Sequence, residues 1–214
     1  PMVMTIYGGA GSRNRMALVP ATCEALGLPY MGADAYGRIV CQDKYLSKII
    51  AREVGLDTSP AVLVRDVNDL PLINALTPRL VVKPNLEGSS IGIGAKNLVT
   101  THDAAKDLAL DLLERFRQPI LVEEFTPGRE VCFCISGNQH GVNFLEAVED
   151  IHTVQENFFQ DKLYTADIKQ NRWNEMGHKL VSSEMTGPLR DTLCRLFSCL
   201  GKVDYVRVDC RINR

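Results

Sequence analysis

Lys83 closes a short apolar run, Val81 and Val82, and is followed by Pro84, Asn85, Leu86, Glu87, Gly88, Ser89, Ser90, Ile91 and Gly92. Glycines let backbone N–H groups close on an anion, serines add hydroxyl donors, and a lysine supplies the compensating charge. Such a segment can wrap the oxygens of a triphosphate. Its spacing is neither the Walker pattern nor the dinucleotide-binding fingerprint, and taken alone it reads more economically as a glycine-rich turn between strands. Arg207 and Asp209 stand two apart in an alternating run, which places a cation and a carboxylate on one strand face. By spacing alone they read as a surface ion pair worth less than about 1 kcal/mol.

Other chemistry is poorly represented. The seven cysteines form no Cys-x-x-Cys pair and the four histidines no metal-type cluster, so a disulfide framework or a zinc site is not expected and a reduced, cytoplasmic setting is. Cys132 and Cys134 lie two apart in an apolar run and read as small core residues on one face of a strand. A net charge of -2 gives no electrostatic footprint for nucleic acid or an anionic membrane, which points to a small polar or anionic ligand. No apolar stretch reaches the length of a bilayer span, and the N-terminus lacks the layout of a signal peptide.

The positioning elements follow from periodicity. Residues 43–54 put Leu46, Ile49, Ile50 and Val54 on one helical face, with Gly55 set to end the helix. Thr58, Ser59 and Pro60 break the chain, and residues 61–64, 80–82 and 91–95 then read as short strands of a small sheet. A helix over 103–116 carries its apolar stripe across that sheet, and 120–125 is the next strand. Segments 130–136 and 142–149 form a hairpin around residues 137–141. The stretch 150–174 is polar, aromatic and aperiodic, the signature of a lid or a disordered segment. Gly187 and Pro188 open a helix that Gly201 stops, and 203–210 alternates so that Val206, Val208 and Cys210 oppose Tyr205, Arg207 and Asp209. The class is α+β in two lobes, with the cleft between them as the natural site. The chain opens within a strand-like run, residues 1–7, and stops soon after another, as a fragment would.

Five ordered segments together resemble the D-alanine:D-alanine ligase family of the ATP-grasp superfamily. Lys83 with residues 87–92 is similar to its phosphate-covering loop. Tyr30 to Asp34 and Gln42 to Lys48 are similar to the link into its ATP-binding domain, and Leu121 to Glu130 to its adenine-binding strand and turn. Asp161, Lys162 and Tyr164 resemble its lid, and Arg207 and Asp209 its catalytic strand. The likeness runs from about Tyr7 onward. It implies an ATP-grasp fold of two α+β lobes: 1–32 as the remnant of an N-terminal substrate domain, 33–125 as the small lobe with its linker helix, and 126–214 as an incomplete large lobe. It implies a ligase that makes an acylphosphate from ATP and lets an amine displace phosphate, as in D-alanyl-D-alanine formation for peptidoglycan. ATP and Mg²⁺ are the implied cofactors and amino acids the partners, with neither nucleic acid nor membrane, and a homodimer by analogy.

By the same resemblance, Lys44 and Lys83 contact ATP phosphates, Glu87, Ser89 and Ser90 belong to the loop side of the transferred phosphate, and Lys162 lies on its far side. Glu123, Glu124, Phe125 and Thr126 meet the adenine, and Glu130 accepts from the ribose hydroxyls. Ser89, Lys162 and Arg207 are catalytic, Arg207 on the oxyanion, and Asp209 binds Mg²⁺. Two departures qualify this. The family completes its metal site with a Glu-x-Asn pair beyond its Arg-x-Asp strand, and residue 214 comes before any such pair, so Asp209 is expected to be an incomplete site in a truncated chain or one unable to turn over alone. Where the family has His-Gly followed by an acidic Gly-Glu-Asp-Gly, this chain has Tyr7-Gly8-Gly9 and a basic Gly11-Ser12-Arg13-Asn14, so Arg13 or Arg15 would read a different carboxylate than D-alanine's. A ligase of natural-product biosynthesis with another amino acid, or an inactive ATP-binding module, stay open.

Overall fold

Capping side chains and turn glycines set where the elements of this chain begin and end. The computed structural model describes residues 3–4, 13–138 and 140–213. A short strand β1 (Val3–Met4) runs parallel to β2 (Tyr30–Met31), on either side of helix α1 (Leu18–Ala25). Asp34 caps α2 (Ala35–Gln42) by accepting from the Gly37 amide, and Asp43 caps α3 (Lys44–Glu53) by accepting from the Leu46 amide. After α3, Gly55 takes the positive φ of 93° foreseen for it. Then come β3 (Ala61–Val64), β4 (Leu80–Pro84), β5 (Leu98–Val99), α4 (His102–Phe116) with Thr101 as its cap, and β6 (Ile120–Glu124). The remainder is β7 (Arg129–Asn138), β8 (Gly141–His152), α5 (Ala166–Asn171), β9 (Met176–Leu180), α6 (Gly187–Ser198) and β10 (Tyr205–Ile212). Two four-stranded sheets result, ordered β3-β6-β4-β5 and β10-β7-β8-β9, so the α+β class read from the sequence holds. No helix among the described residues is long and apolar enough to cross a membrane.

The chain divides into two compact units that interleave along the sequence. One comprises Thr58–Val131, Glu149–Lys179 and Cys210–Arg214. Its sheet β3-β6-β4-β5 is antiparallel throughout, with β6 between β3 and β4. Leu80, Val82, Ile120 and Val122 turn one sheet face onto Ala105, Ala109 and Leu112 of α4, closing a core with Val64 and Ile73. The strand expected over 91–95 is instead a pair of tight turns, in which the Ile91 amide donates to the Gly88 carbonyl and the Ile93 amide to the Ser90 carbonyl. Buried Asn97 enforces this, its Nδ2 donating to the Val82 and Gly92 carbonyls at 2.7 and 2.8 Å while its Oδ1 accepts from the Gly94 amide. The stretch over 150–174 is likewise more than loop: it holds the end of β8, a 3-10 turn at Phe158–Gln160 and α5 around a small core of Phe158, Phe159 and Ile168.

The other unit comprises Pro1–Asp57, Cys132–Val148 and Leu180–Asp209. Two helices the periodicity left unread, α1 and α2, lie here. Gly37 of α2 comes so near the end of α6 that a Cβ would sit 2.8 Å from the Leu200 carbonyl oxygen, and Asp34 accepts from the Lys202 amide. In β7, Phe133 and Ile135 are buried whereas Cys132 and Cys134 are only half-buried. The two cysteines do share a face, but the core lies on the opposite one, because the larger apolar side chains claim it. Residues 5–12, which include Tyr7-Gly8-Gly9 and Gly11-Ser12, lie outside the described residues. Arg13 is mostly exposed, 3.8 Å from the Asp43 carboxylate.

Candidate functional site

Strand register assembles the first part of the site. Val81 lies opposite Glu123 and Lys83 opposite Leu121, so these four share the sheet face turned away from the α4 core. There the Lys83 ammonium and the Glu123 carboxylate form an ion pair, their side chains only 19% and 14% exposed. At that burial the pair is far less screened than a surface one. Lys83 and Glu123, which the sequence reading placed at the two ends of a nucleotide, are thus direct partners.

Beyond Lys83 the chain enters the small-residue loop. Ser89 and Ser90 both carry left-handed backbone, φ 53° and 59°, which is sparsely populated for residues with a Cβ. Such conformations cost on the order of 1–3 kcal/mol each and persist where the surroundings impose them, characteristically at ligand clamps. Here the loop is stitched down from outside: Ser90 Oγ donates to the Tyr164 carbonyl at 2.9 Å, and the Ala166 amide donates to the Ile93 carbonyl at 3.1 Å. Glu87 is held by Gln118, whose Nε2 donates to Oε1 at 2.8 Å while its own Oε1 accepts from the Leu86 amide. Ser89 itself is exposed, and a Cβ on Gly88 would meet nothing within 4 Å, so the outer side of the turn is open.

The strand-to-turn segment after β6 forms the second part. Glu124 turns aside, its Oε1 accepting from the Thr77 amide at 2.7 Å. Phe125 is buried with two guanidinium groups against its ring, Arg79 at 4.3 Å and Arg211 at 4.7 Å from the centroid. Arg79 also holds φ at 106°, and its carbonyl accepts from the Phe125 amide. Arg211 goes on to donate to the carbonyls of Thr126, Phe159 and Lys162 and to pair with Glu130 at 2.9 Å. Burial pushes its pKa down while the Glu130 carboxylate works against that, and the guanidinium stays charged. Lys162 is exposed at its side chain and held through its carbonyl.

Glu123, Phe125, Thr126, Glu130 and Lys162 were anticipated as site residues, whereas Arg79 and Arg211 were not. Arg211 had a signal, since it extends the charged face of Arg207 and Asp209 by one more alternation, yet nothing in one strand announces the carbonyls waiting for it. Lys44, Arg207 and Asp209 belong to the other unit. Lys44 is half-buried at the first position of α3. Arg207 grips Asp209 with two contacts, Nε to Oδ1 at 2.7 Å and Nη2 to Oδ2 at 3.0 Å, the side chains 60% and 47% exposed. Mg²⁺ demands near-octahedral oxygen coordination. With both Asp209 oxygens on a guanidinium, and no group of three or more acidic, histidine or cysteine side chains arranged as ligands among the described residues, these residues do not fit that ion.

Residues 62–214 match the family model described as "D-ala D-ala ligase C-terminus". A D-alanine–D-alanine ligase of Sodalis glossinidius is 27% identical over 213 residues, covering 95% of this chain and 54% of the relative. The chain thus spans about half the length of that ligase. Among solved structures, a D-alanine–D-alanine ligase from Bacillus anthracis complexed with ATP superposes with a TM-score of 0.64 at 20% identity, over 91% of this chain and 58% of the other. The VanG D-Ala:D-Ser ligase from Enterococcus faecalis gives 0.68 at 22% identity, over 98% and 59%. At those identities the structures establish a shared fold.

Proposed function

The chain belongs to the family of the D-ala D-ala ligase C-terminus, and on that premise we propose that it is the nucleotide-binding portion of an ATP-grasp ligase joining a carboxylate to an amine through an acylphosphate. A carboxylate is a poor electrophile because oxide is a poor leaving group. Transfer of the γ-phosphoryl group creates a good one, and the amine then displaces phosphate. The first step sets anion against anion, so most of the catalytic burden is charge neutralisation and alignment.

In this reading Lys83, Lys44 and Lys162 meet phosphate oxygens, and the turn of Ser89 and Ser90 beside Glu87 covers the transferred group. Phe125 and the backbone of Glu124 to Thr126 face the base along with Glu123, Glu130 takes the ribose hydroxyls, and Arg207 steadies the tetrahedral oxyanion. A magnesium ion would need carboxylates besides Asp209. D-Alanine is the first substrate to try, for peptidoglycan assembly in the cytoplasm. A different second amino acid is the alternative, supported by the basic residues Arg13 and Arg15 and by the D-Ala:D-Ser specificity named for the enterococcal structure.

The observation that carries the reading is the pair of left-handed serines. Glycine is the residue this backbone favours, whereas this loop keeps two hydroxyls in succession there and is tied by Ser90 to the Tyr164 segment. Calorimetric titration of ATP tests it. Lys83→Ala is expected to weaken binding about ten- to a hundredfold, the worth of a charge-assisted hydrogen bond. Circular dichroism on the same variant checks that the fold survives loss of the Glu123 pair. Unchanged nucleotide affinity would sink the assignment. Phosphate release by the full-length protein with D-alanine and a panel of amino acids then identifies the substrates.

A further inference from the structure

Arg211 makes more contacts than any role assigned above requires. Its Nη1 donates to the Thr126 carbonyl at 3.1 Å and the Phe159 carbonyl at 2.8 Å, its Nη2 to the Lys162 carbonyl at 2.7 Å, and its Nε lies 2.9 Å from Glu130 Oε2. The guanidinium plane also lies over Phe125 at 4.7 Å and near Phe159 at 5.5 Å. Only 15% of the side chain is exposed. These acceptors come from two separate stretches, the turn 125–130 between β6 and β7 and the segment 158–162, and Arg211 itself stands near the end of β10. One rigid fork therefore ties three pieces of chain together, a task suited to five coplanar donors and unsuited to a lysine.

Apart from the stacking of Phe158 on His152 and the ties of Tyr164 and Ala166 to the Ser90 loop, the segment it holds rests on a small apolar cluster. That cluster is Phe158, Phe159 and Ile168, with Tyr164 and Met176 packed alongside. Segments with so few buried contacts open at small free-energy cost. The turn on the other side is the one proposed above to meet the base and ribose, and Arg211 already lies over its Phe125 ring and on Oε2 of its Glu130, so guanidinium and nucleotide would draw on the same groups.

We infer that Arg211 is a latch that fastens segment 158–162 to the turn 125–130, and that its hold on Phe125 and Glu130 competes with ATP for that turn, so that ATP binds more tightly once the latch is released. The second clause rests on the proposed nucleotide site; the first stands on geometry alone. Arg211 acts here as a positioning residue. It sets how often the binding-competent arrangement is populated, and a population shift of that kind scales the apparent affinity directly.

Hydrogen exchange and ATP titration on the full chain test both clauses. In the nucleotide-free Arg211→Met variant, amides of 158–164 are expected to exchange about tenfold faster than in the parent while those of α4 keep their rates. ATP is expected to bind about five- to tenfold more tightly. Arg211→Lys, which keeps the charge and loses the fork, should fall between and serves if the methionine variant folds poorly. Unchanged exchange at 158–164 would overturn the latch, and so would looser exchange with ATP affinity equal to or below the parent's. If the parent binds ATP and Lys83→Ala weakens it while Arg211→Met changes nothing, the latch alone fails. If neither parent nor Arg211 variants bind ATP, the nucleotide site fails and takes the latch's second clause with it.

Discussion

Glu175 shows how much a single carboxylate can be biased by its neighbours. Arg172 donates to both of its oxygens, at 2.7 and 2.6 Å, and His152 approaches one of them at 3.1 Å. His152 Nδ1 accepts from the amides of Val154 and Gln155, so its proton sits on Nε2 and points at Glu175. The Arg172 fork, with His152 adding to it, pulls the Glu175 pKa down from its ordinary 4.5 to about 2. A folded pKa below the unfolded one contributes stability that is complete above the unfolded value and disappears as pH falls through the folded one. The Glu175 contribution is therefore expected to be full above pH 4.5 and lost by about pH 2. A carbon-13 NMR titration of its carboxyl group should show the low midpoint, and Arg172→Ala should return it most of the way to 4.5. A midpoint near 4.5 in the parent would contradict the geometry. None of this was legible in the sequence. Arg172 and Glu175 are three apart in a stretch without periodicity, and His152 joins them only because β8 and β9 are neighbours.

At the level of elements, the loop after β4 owes its shape to what surrounds it. Gly92 carries φ 78°, and a Cβ there would fall 2.7 Å from Pro84 Cγ and 2.8 Å from Phe116 Cζ, the first at the end of β4 and the second at the end of α4. Gly92→Ala therefore combines an unfavourable backbone conformation with overpacking. It is expected to lower stability by about 2–4 kcal/mol in urea unfolding. A change under about 0.5 kcal/mol would mean that the loop is not held against α4 as described. The sequence reading put this glycine inside a strand over 91–95, whereas β5 is Leu98–Val99. Ile91, Ile93 and Ala95 alternate convincingly, and the alternation is overridden by the hydrogen bonds of Asn97, fifteen residues from one of its acceptors, Val82. Helices α3, α4 and α6 were read within a residue or two because their caps and stripes are local. Helices α1 and α2 escaped notice because each spans only eight residues, too few for a stripe to stand out.

Across the whole molecule, each of the two compact units is assembled from stretches of chain that interleave with those of the other. Leu112 is 1% exposed in the α4 core. Leu112→Ala is expected to cost about 2–5 kcal/mol and to speed exchange together in residues 58–131 and 149–179, which belong to one unit. Loss of protection confined to α4 would show that these stretches do not fold as one. The amino-acid sequence by itself determined the elements with local signatures, the family, and the residue types able to manage a polyphosphate, since caps, periodicity and motif order are properties of neighbouring residues. The tertiary structure alone decided the partners: Lys83 with Glu123 through strand register, Ser90 with the Tyr164 carbonyl, and Arg211 with acceptors 49 to 85 residues away. Hydrogen bonds and ion pairs act over a few ångströms of space, and separation along the chain says almost nothing about that distance until the sheets have formed.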